Sequence, residues 1–187
     1  MLARRLAESV GSDTRDDERL RAEEEELRRC LEDGGLNASL PDELPDFVGS
    51  EHEVWSDGHR VLKATLPGAY GRRWGSRRFA SPSEYLQRIH LAQTAFAFPW
   101  EVIGLCTEAG RVRIVTEQPF IAGQAPTHAE IDDFMQAIGF ERVTHRFGDH
   151  WLRRTDSLLA FDAEPGNFVK TTAGLVPVDL ILQFADQ

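Results

Sequence analysis

The chain is poor in cysteine and has no long apolar run. Its 187 residues contain two cysteines, Cys30 and Cys106, which are too few and too far apart for a disulfide framework or a thiolate metal site. No apolar run approaches the roughly 18 residues of a membrane-spanning helix, and no apolar stretch follows Arg4 and Arg5 as it would in a secretory signal. We therefore expect a protein without membrane segments that resides in the cytoplasm.

An excess of positive charge is also missing. The formal net charge is −10 at pH 7, which argues against nonspecific binding of nucleic acid by the surface as a whole. One basic stretch lies at 71–78, where four arginines surround Trp74. It can contact a phosphate-bearing partner or single-stranded nucleic acid, but a surface loop that balances the acidic surface is the favoured interpretation. Nucleic acid is therefore not expected as a partner.

Residues 1–46 differ in composition from the rest of the chain. Between positions 13 and 33 there are ten acidic residues and five arginines, with leucines at helical spacing. We predict two helices here, interrupted at Gly11-Ser12 and ended at Gly34-Gly35, followed by a proline-containing linker. The acidic helix is either a solvated face or a binding surface for a protein partner, and the first interpretation is favoured.

The remaining residues alternate between short strands and single helices. Hairpin signals at Ser56-Asp-Gly58 and Glu108-Ala-Gly110 join alternating segments, and the helix between them begins at the capping box Ser81-Pro-Ser-Glu84. A second capping box, Thr127-His-Ala-Glu130, opens another helix, which short strands follow. A turn at 120–126 separates the two parts. We therefore predict an α+β fold of two unequal lobes.

Three polar residues in the last part of the chain have the spacing that phosphoryl transfer needs. Asp162 and Asn167 lie five residues apart in Asp-Ala-Glu-Pro-Gly-Asn, and Asp179 ends the run Val-Pro-Val twelve residues later. One carboxylate can orient or deprotonate an attacking hydroxyl, while the asparagine oxygen and the second carboxylate hold the metal that bridges nucleotide phosphates. The pattern therefore predicts a phosphotransferase site.

Lys63 is the cation that would complete such a site. It lies in the predicted strand Arg60–Thr65 and shares a face with Val61. Because burying a lone ammonium group is costly, an inward lysine beside a cleft indicates an anionic partner such as nucleotide phosphate. A solvent-facing lysine is the alternative, and the three polar residues that follow in the sequence favour the functional role.

These motifs resemble the protein-kinase-like superfamily from Gly49 to Asp179. Phe47–Val54 corresponds to the glycine-rich strand turn, Val61-Leu-Lys63 to the strand lysine, and Ile114–Gly123 to the gatekeeper strand and hinge. A more specific resemblance is to the compact serine/threonine/tyrosine kinase-like domains of bacterial and phage polyvalent proteins, which are associated with mobile elements. It rests on the strings Gly-Ser-Glu-His-Glu-Val, Ser-Pro-Ser-Glu-Tyr-Leu, Asp-Ala-Glu-Pro-Gly-Asn-Phe and Val-Pro-Val-Asp-Leu-Ile.

The resemblance implies an architecture as well as an activity. We expect a minimal two-lobed protein-kinase-like fold with a truncated C-terminal lobe, preceded by the acidic helical extension 1–46. Within the kinase-like domain, 47–187, the N-lobe would span 47–117, the hinge 117–123 and the reduced C-lobe 124–187. The implied partners are a nucleotide and an acceptor that is a protein or a small molecule.

The resemblance also implies the roles of individual residues. Lys63 would contact the phosphates of ATP, Asn167 and Asp179 would hold Mg²⁺, and Asp162 would orient the acceptor hydroxyl. Glu84 is the candidate helix partner of Lys63, although its place in the capping box explains it equally well. The residues expected around the nucleotide are Gly49, Lys63, Glu84, the gatekeeper Thr116, Glu117 and Pro119.

Departures from the kinase pattern keep other functions open. Gly49 stands where kinases usually have three glycines, and Ala160-Phe161 and Leu180-Ile181 replace the residues that usually flank the two aspartates. Eight residues follow Asp179, so we expect neither an activation segment nor the usual platform for protein substrates. An ATP- and Mg²⁺-dependent phosphotransferase is favoured. The alternatives are a pseudokinase or interaction module and a small-molecule kinase of the aminoglycoside-phosphotransferase type.

Overall fold

The computed structural model of the chain describes residues 2–34, 36–72, 80–145 and 148–185, with the backbone alone at 2–16, 145 and 148. Most of the arginine-rich stretch around Trp74 lies outside the described residues. The described part contains three α-helices and antiparallel sheets of five, four and two strands, which confirms the α+β class. None of these helices is long and apolar enough to cross a membrane.

The first helix, α1, runs without interruption over Leu2–Glu32. The predicted break at Gly11-Ser12 is therefore wrong. A glycine inside a helix costs only about 1 kcal/mol relative to alanine, which a helix of 31 residues tolerates. The helix ends as predicted just before Gly34, whose φ of +75° suits a glycine. Apolar side chains of its second half pack against the main core, namely Leu20, Leu27, Cys30 and Leu31.

A five-stranded antiparallel sheet forms the first part of the fold. Its strands are β1 (Phe47–Val48), β2 (His52–Ser56), β3 (Arg60–Thr65), β4 (Glu101–Glu108) and β5 (Arg111–Pro119), in the order β1-β2-β3-β5-β4. This order puts β3 in the centre of the sheet. Lys63 therefore lies between two strands, opposite Val54 of β2 and Thr116 of β5.

The two faces of this sheet pack against different elements, because successive side chains on a strand point to opposite faces. One face carries Trp55 and Val115, which Ala38 and Leu40 from the segment after α1 cover. The opposite face carries Lys63 and is turned toward the helix that follows β3. Lys63 and its register partner Thr116 thus lie on the inner face, whereas Glu117, which pairs with Leu62, lies on the outer face with Trp55.

The segment after α1 also closes the outer edge of β4. The backbone N–H of Ala38 donates to the carbonyl of Leu105 over 2.8 Å, and the N–H of Leu105 donates to the carbonyl of Leu36 over 2.6 Å. Asn37 therefore forms an isolated parallel bridge with Leu105. Gly104 permits this approach, because a Cβ at that position would lie 2.6 Å from the Leu36 carbonyl oxygen.

Helix α2 (Pro82–Phe96) begins at the predicted capping box. The Ser81 hydroxyl accepts from the backbone N–H of Glu84 over 3.4 Å, and the Glu84 carboxylate accepts from the N–H of Ser81 over 2.9 Å. Helix α1 adds a second cap, since Glu23 accepts hydrogen bonds from the backbone N–H and the hydroxyl of Ser83. The buried residues of α2 are Pro82, Tyr85, Arg88, Ile89, Leu91 and Ala92.

The second part of the fold begins with α3 (His128–Ala137), which starts at the other predicted capping box. After it come β6 (Glu141–His145), β7 (Gly148–Arg153), β8 (Leu158–Phe161), a short 3-10 helix (Pro165–Asn167), the hairpin strands β9 (Phe168–Thr171) and β10 (Gly174–Pro177), and β11 (Ile181–Phe184). Strand β11 returns to pair with β8, which gives a sheet of order β11-β8-β7-β6.

Both parts contribute to one apolar core. It contains Ile114 of β5, Leu91 of α2, Met135 of α3 and Leu182 of β11. Strand β11, which the sequence did not predict, packs against α2. It therefore joins the second sheet to the inner face of the first, directly after Asp179.

Candidate active site

Lys63 is a buried cation with a carboxylate partner. Its residue is 6% exposed, and its Nζ lies 3.3 Å from Oδ2 of Asp179. The same Nζ donates a hydrogen bond of 3.4 Å to the carbonyl of Val178 and lies 5.0 Å above the ring of Trp100. The lysine therefore faces inward, as its predicted role requires.

Asp179 accepts from two cations at the junction between β10 and β11. Its Oδ1 lies 2.7 Å from a guanidinium nitrogen of Arg88, while Oδ2 faces Lys63. Enclosure by the protein alone would raise the pKa of this carboxyl. The charges of Lys63 and Arg88 outweigh that effect and hold the pKa well below its usual value. The side chain keeps 30% exposure, so an anionic carboxylate borders the solvent.

Arg88 ties Asp179 to the turn between β1 and β2. From the buried face of α2, its guanidinium donates to Glu51 over 2.7 Å, to Asp179 over 2.7 Å and to the carbonyl of Leu180 over 2.8 Å. Neither Arg88 nor Glu51 was predicted as a site residue. One sequence signal was available: Arg88 falls on the apolar stripe of its helix, next to Ile89, where an arginine needs a buried partner.

Glu84 occupies the first turn of α2 and closes the capping box there. Of the two roles considered for it, the capping role is therefore the one that the structure shows. Lys63 forms its ion pair with Asp179, and the α2 side chain in contact with that pair is Arg88, one turn beyond Glu84. Glu84 also borders a cavity of about 520 Å³ between α2 and β11.

His52 is buried at the start of β2. Because side chains alternate along the strand, His52 points to the inner face, where its Nε2 lies 2.8 Å from the hydroxyl of Tyr85. Burial disfavours the charged imidazole and lowers its pKa to about 3; the charge of Asp179 opposes this shift, while the charges of Arg88 and Lys63 reinforce it. The ring is therefore neutral at pH 7.

Three residues of the predicted gatekeeper and hinge belong to β5. Thr116 is fully buried, and its hydroxyl donates to the carbonyl of Lys63 over 3.3 Å. Glu117 forms an ion pair of 3.0 Å with Arg60. Pro119 is the last residue of the strand and still pairs with Arg60 in the register. The first residues of the predicted hinge are therefore held in the sheet.

Gly49 lies in the tight turn that joins β1 to β2. Its N–H donates to the carbonyl of His52 over 2.8 Å. Glu51 in the same turn accepts from the backbone N–H of Arg72 over 2.8 Å as well as from Arg88. The carboxylate of Glu51 thus anchors the turn to Arg88 of α2. The turn has this anchor where kinases usually have further glycines.

Asp162 and Asn167 form a self-contained loop after β8. The side-chain amide of Asn167 donates to the carbonyl of Asp162 over 2.7 Å and to its carboxylate over 2.9 Å. These bonds, together with the N–H of Glu164, hold Asp162 at a φ of +60°, which aspartate tolerates better than most residues. Because the amide nitrogen faces Asp162, the Asn167 Oδ1 acceptor points away from it.

Backbone pairing brings this loop to the buried cluster. The N–H of Val178 donates to the carbonyl of Asn167 over 2.8 Å, directly before Asp179. Phe161, directly before Asp162, pairs with Ile181 of β11. The structure therefore places all three predicted polar residues of the last part of the chain at one end of the β8–β11 pair, where Asp179 contacts Lys63.

The side-chain oxygens at this end are of the types that a hard cation such as Mg²⁺ binds. Asp179 and Asn167 offer a carboxylate and an amide oxygen, which are ligand types that Mg²⁺ accepts. No group of three or more His, Cys, Asp or Glu side chains that could hold a metal occurs in the described part of the chain. Mg²⁺ usually keeps several waters and binds one or two carboxylates plus substrate phosphates, so an all-protein cage is not required.

Comparison with known families identifies the family of the chain. The sequence profile of a family described as Serine/Threonine/Tyrosine Kinase found in polyvalent proteins matches residues 22–186, from within α1 to the end of β11 and beyond. No curated protein and no solved structure gives a significant match. The matched range includes every residue of the candidate site, and the chain belongs to the family of serine/threonine/tyrosine kinases found in polyvalent proteins.

Proposed function

We propose that the chain is an ATP- and Mg²⁺-dependent phosphotransferase that acts on a hydroxyl group of a protein or a small molecule. The observation that carries the proposal is the contact between Lys63 of β3 and Asp179, which the backbone of Val178 connects to Asn167. These residues are distant in the sequence. Their meeting at one end of the β8–β11 pair supports a common function.

The proposal includes a two-lobed arrangement. Residues 47–117, with the five-stranded sheet and α2, would be the N-lobe, and 124–187 the reduced C-lobe. The nucleotide would lie between them, next to 117–123. Residues 1–46 would be an extension that packs on the N-lobe.

Lys63 would bind the nucleotide phosphates. Its ammonium group is already held by an anionic oxygen at 3.3 Å in a buried setting, and phosphate oxygens are anionic partners of the same kind. When Lys63 turns to the phosphates, Arg88 would keep Asp179 in place. The hydrogen bonds that hold Arg88 itself, to Glu51 and to the carbonyl of Leu180, do not involve the lysine.

Asp179 and the Oδ1 of Asn167 would hold the metal. When bound, Mg²⁺ neutralises charge on the phosphates and so supports transfer of the phosphoryl group. The lowered pKa of Asp179 keeps its carboxylate anionic, as a metal ligand must be.

Asp162 would orient the acceptor hydroxyl. Its carboxylate is exposed and is fixed from one side by the Asn167 amide, so a second oxygen remains to accept a hydrogen bond from a hydroxyl. The Gly49 turn would lie over the phosphates, and the end of β5, with Thr116, Glu117 and Pro119, would run beside the adenine. Glu84 would act through α2, whose start it caps.

Thermal unfolding with ATP, with and without Mg²⁺, tests the proposal. A ligand that binds only the folded state raises its stability, by about 2.7 kcal/mol at a hundredfold excess over Kd. We expect a rise of the midpoint with ATP that is larger with Mg²⁺. An unchanged midpoint at millimolar ATP contradicts the proposal.

Transfer itself is then measured with γ-labelled ATP, as label on the protein or released to water. Asp162→Ala should abolish both signals while nucleotide still raises the midpoint. Equal label in the wild type and the variant would show that Asp162 is not the residue that orients the acceptor.

A pseudokinase or interaction module is the second candidate, and one observation favours it. Both carboxylate oxygens of Asp179 face protein cations, Lys63 and Arg88, so the protein satisfies this charge without a metal. In that case α1 would be the binding arm, since Glu25 and Glu26 remain about 60% exposed on it. This candidate predicts no Mg²⁺-dependent shift of the midpoint.

A further inference from the structure

Two neighbouring carboxylates of α1 contact two different elements of the fold. Glu23 accepts a hydrogen bond from the backbone N–H of Ser83 over 2.9 Å and another from its hydroxyl over 3.0 Å, at the start of α2. Glu24 accepts from two guanidinium nitrogens of Arg111 over 2.8 and 2.9 Å, at the start of β5. The second half of α1 therefore ties α2 to the first sheet.

The contacts of α1 with the sheet do not involve α2. Glu24 is 7% exposed, and its bidentate pair with Arg111 fixes the geometry as well as the charge. One turn later, Arg28 donates two hydrogen bonds of 3.2 Å to the carbonyl of Gly110, between β4 and β5. The family match begins at residue 22, so it includes Glu23, Glu24 and Arg28. Helix α1 is thus a fixed support against which α2 can be held.

On the side of α2, Glu23 completes the cap of the helix. The capping box serves the N–H groups of Ser81 and Glu84, and Pro82 has no N–H. The N–H of Ser83 is the one that Glu23 serves. Its acceptor is a carboxylate, and a negative charge at a helix N-terminus is stabilising. The first turn of α2 is therefore held by α1.

This turn lies close to the residue that holds Asp179. Arg88 follows Ser83 by about 1.4 helical turns and donates to Asp179 over 2.7 Å. The polar contacts of Lys63, by contrast, are with Asp179 and the carbonyl of Val178, which are not on α2. A shift of α2 would therefore move the guanidinium that orients Asp179, but not the strand that carries Lys63.

We propose that Glu23 is a positioning residue of the phosphotransferase. By holding the first turn of α2 against α1, it keeps Arg88 where it orients Asp179 for the metal. The inference rests on the proposed function, because it requires a metal at Asp179. It gives α1 a part in the chemistry, whereas the sequence pattern indicated only a solvated face or a surface for a protein partner.

ATP affinities with and without Mg²⁺ test this assignment. We would measure the Kd of ATP in Mg²⁺ and in EDTA, and take the ratio of the two values as the gain from the metal. Glu23→Ala should reduce this gain by roughly three- to tenfold and leave the Kd in EDTA unchanged, because Lys63 stays in place. Glu23→Gln, which keeps an oxygen for the N–H of Ser83, should retain most of the gain.

Matched variants separate positioning from folding. Glu18→Ala makes the same chemical change at an exposed position of α1 and should leave the gain unchanged. The thermal midpoint of each variant shows whether it is folded at the temperature of the titration. If Glu23→Ala does not fold, Ser83→Ala removes the hydroxyl and keeps the backbone bond, and it should show a smaller loss of the gain.

The outcomes distinguish this inference from the proposed function. If the wild type does not bind ATP, or binds it equally well in Mg²⁺ and in EDTA, the proposed function fails and the inference fails with it. If the wild type shows the gain and Glu23→Ala keeps it, or weakens ATP binding equally under both conditions, Glu23 does not position Asp179, while the phosphotransferase proposal stands.

Discussion

Asp179 and Asp162, the two carboxylates of the proposed chemistry, lie at one end of the same strand pair in opposite surroundings. Asp179 accepts from two cations, and their charge keeps its pKa well below the usual value. Asp162 is exposed and is held by the amide of Asn167. Opposite charges hold Asp179 in place, whereas hydrogen bonds from a neutral amide hold Asp162.

Because of this difference, a substitution of Asp179 should mainly change the stability of the fold, whereas a substitution of Asp162 should mainly change the rate of phosphate transfer. Removing charge from a buried ion cluster leaves cations without a counter-charge, so the fold itself loses stability. Removing charge from an exposed loop leaves the stability of the fold nearly unchanged and affects only the binding of the acceptor molecule. The two aspartates should therefore respond in opposite ways to the same substitution.

Asp179→Asn should have the largest effect on stability. The variant keeps the shape of the side chain but leaves Lys63 without its carboxylate and Arg88 with Glu51 alone. We expect the free energy of unfolding to fall by about 3–5 kcal/mol, measured by urea denaturation. A fall of less than 1 kcal/mol would mean that the cluster is not held by this charge.

Acidification should produce the next largest effect, through His52. Its pKa is lowered from 6.5 to about 3 because the folded state buries it. The unfolded chain therefore takes up a proton first as pH falls, so stability is full above pH 6.5 and declines below it. We expect a loss of about 2 kcal/mol between pH 7 and pH 5, measured by urea denaturation at both values.

The matched variant for this titration is His52→Gln, which keeps a polar side chain but cannot titrate. Its stability should be nearly the same at pH 7 and pH 5. An equal decline in the variant and the wild type would assign the titration to another group.

Asn167→Ala should have a smaller effect, confined to the exposed loop. The variant loses two hydrogen bonds that hold Asp162 at its positive φ, and we expect a cost of about 1 kcal/mol. Asn167→Asp serves as the comparison, because it keeps an oxygen for the metal but loses the amide donor. If Asn167 is a metal ligand, only the alanine variant should weaken the Mg²⁺-dependent part of ATP binding.

Asp162→Asn should have the smallest effect on stability. Asparagine also tolerates a positive φ and keeps an oxygen for the Asn167 amide, so we expect a change within about 0.5 kcal/mol. Transfer of phosphate should nevertheless fall by about a hundredfold or more. If stability and transfer fall together, the contrast between the two aspartates is wrong.

The parts of the structure that local patterns encode were predictable from the sequence. The capping boxes at Ser81 and Thr127 mark the starts of α2 and α3 because their side chains bond only within one turn. That Asp162, Asn167 and Asp179 would lie near one another was predictable for a similar reason, because only a short loop and one hairpin separate them in the chain.

The buried cluster was harder to predict because its contacts join distant segments. Arg88 meets Glu51 and Asp179 only when α2 lies between the first sheet and β11. Strand β11 has four residues and no hairpin signal of its own, and its pairing with β8 depends on the hairpin between them. His52 follows a glycine turn, so its place on the inner face depends on where β2 begins.

The segment 36–38 limits how far the chain can be shortened from its N-terminal side, because it pairs with β4. A division of the chain at residue 46 stays a prediction, and a chain shortened to begin at 47 would lose the bonds to Leu105. The free edge of β4 and the apolar surface around Trp55 would then be uncovered together. An exposed strand edge is a template for pairing with another chain, so the shortened protein should self-associate into assemblies that the longer chain does not form.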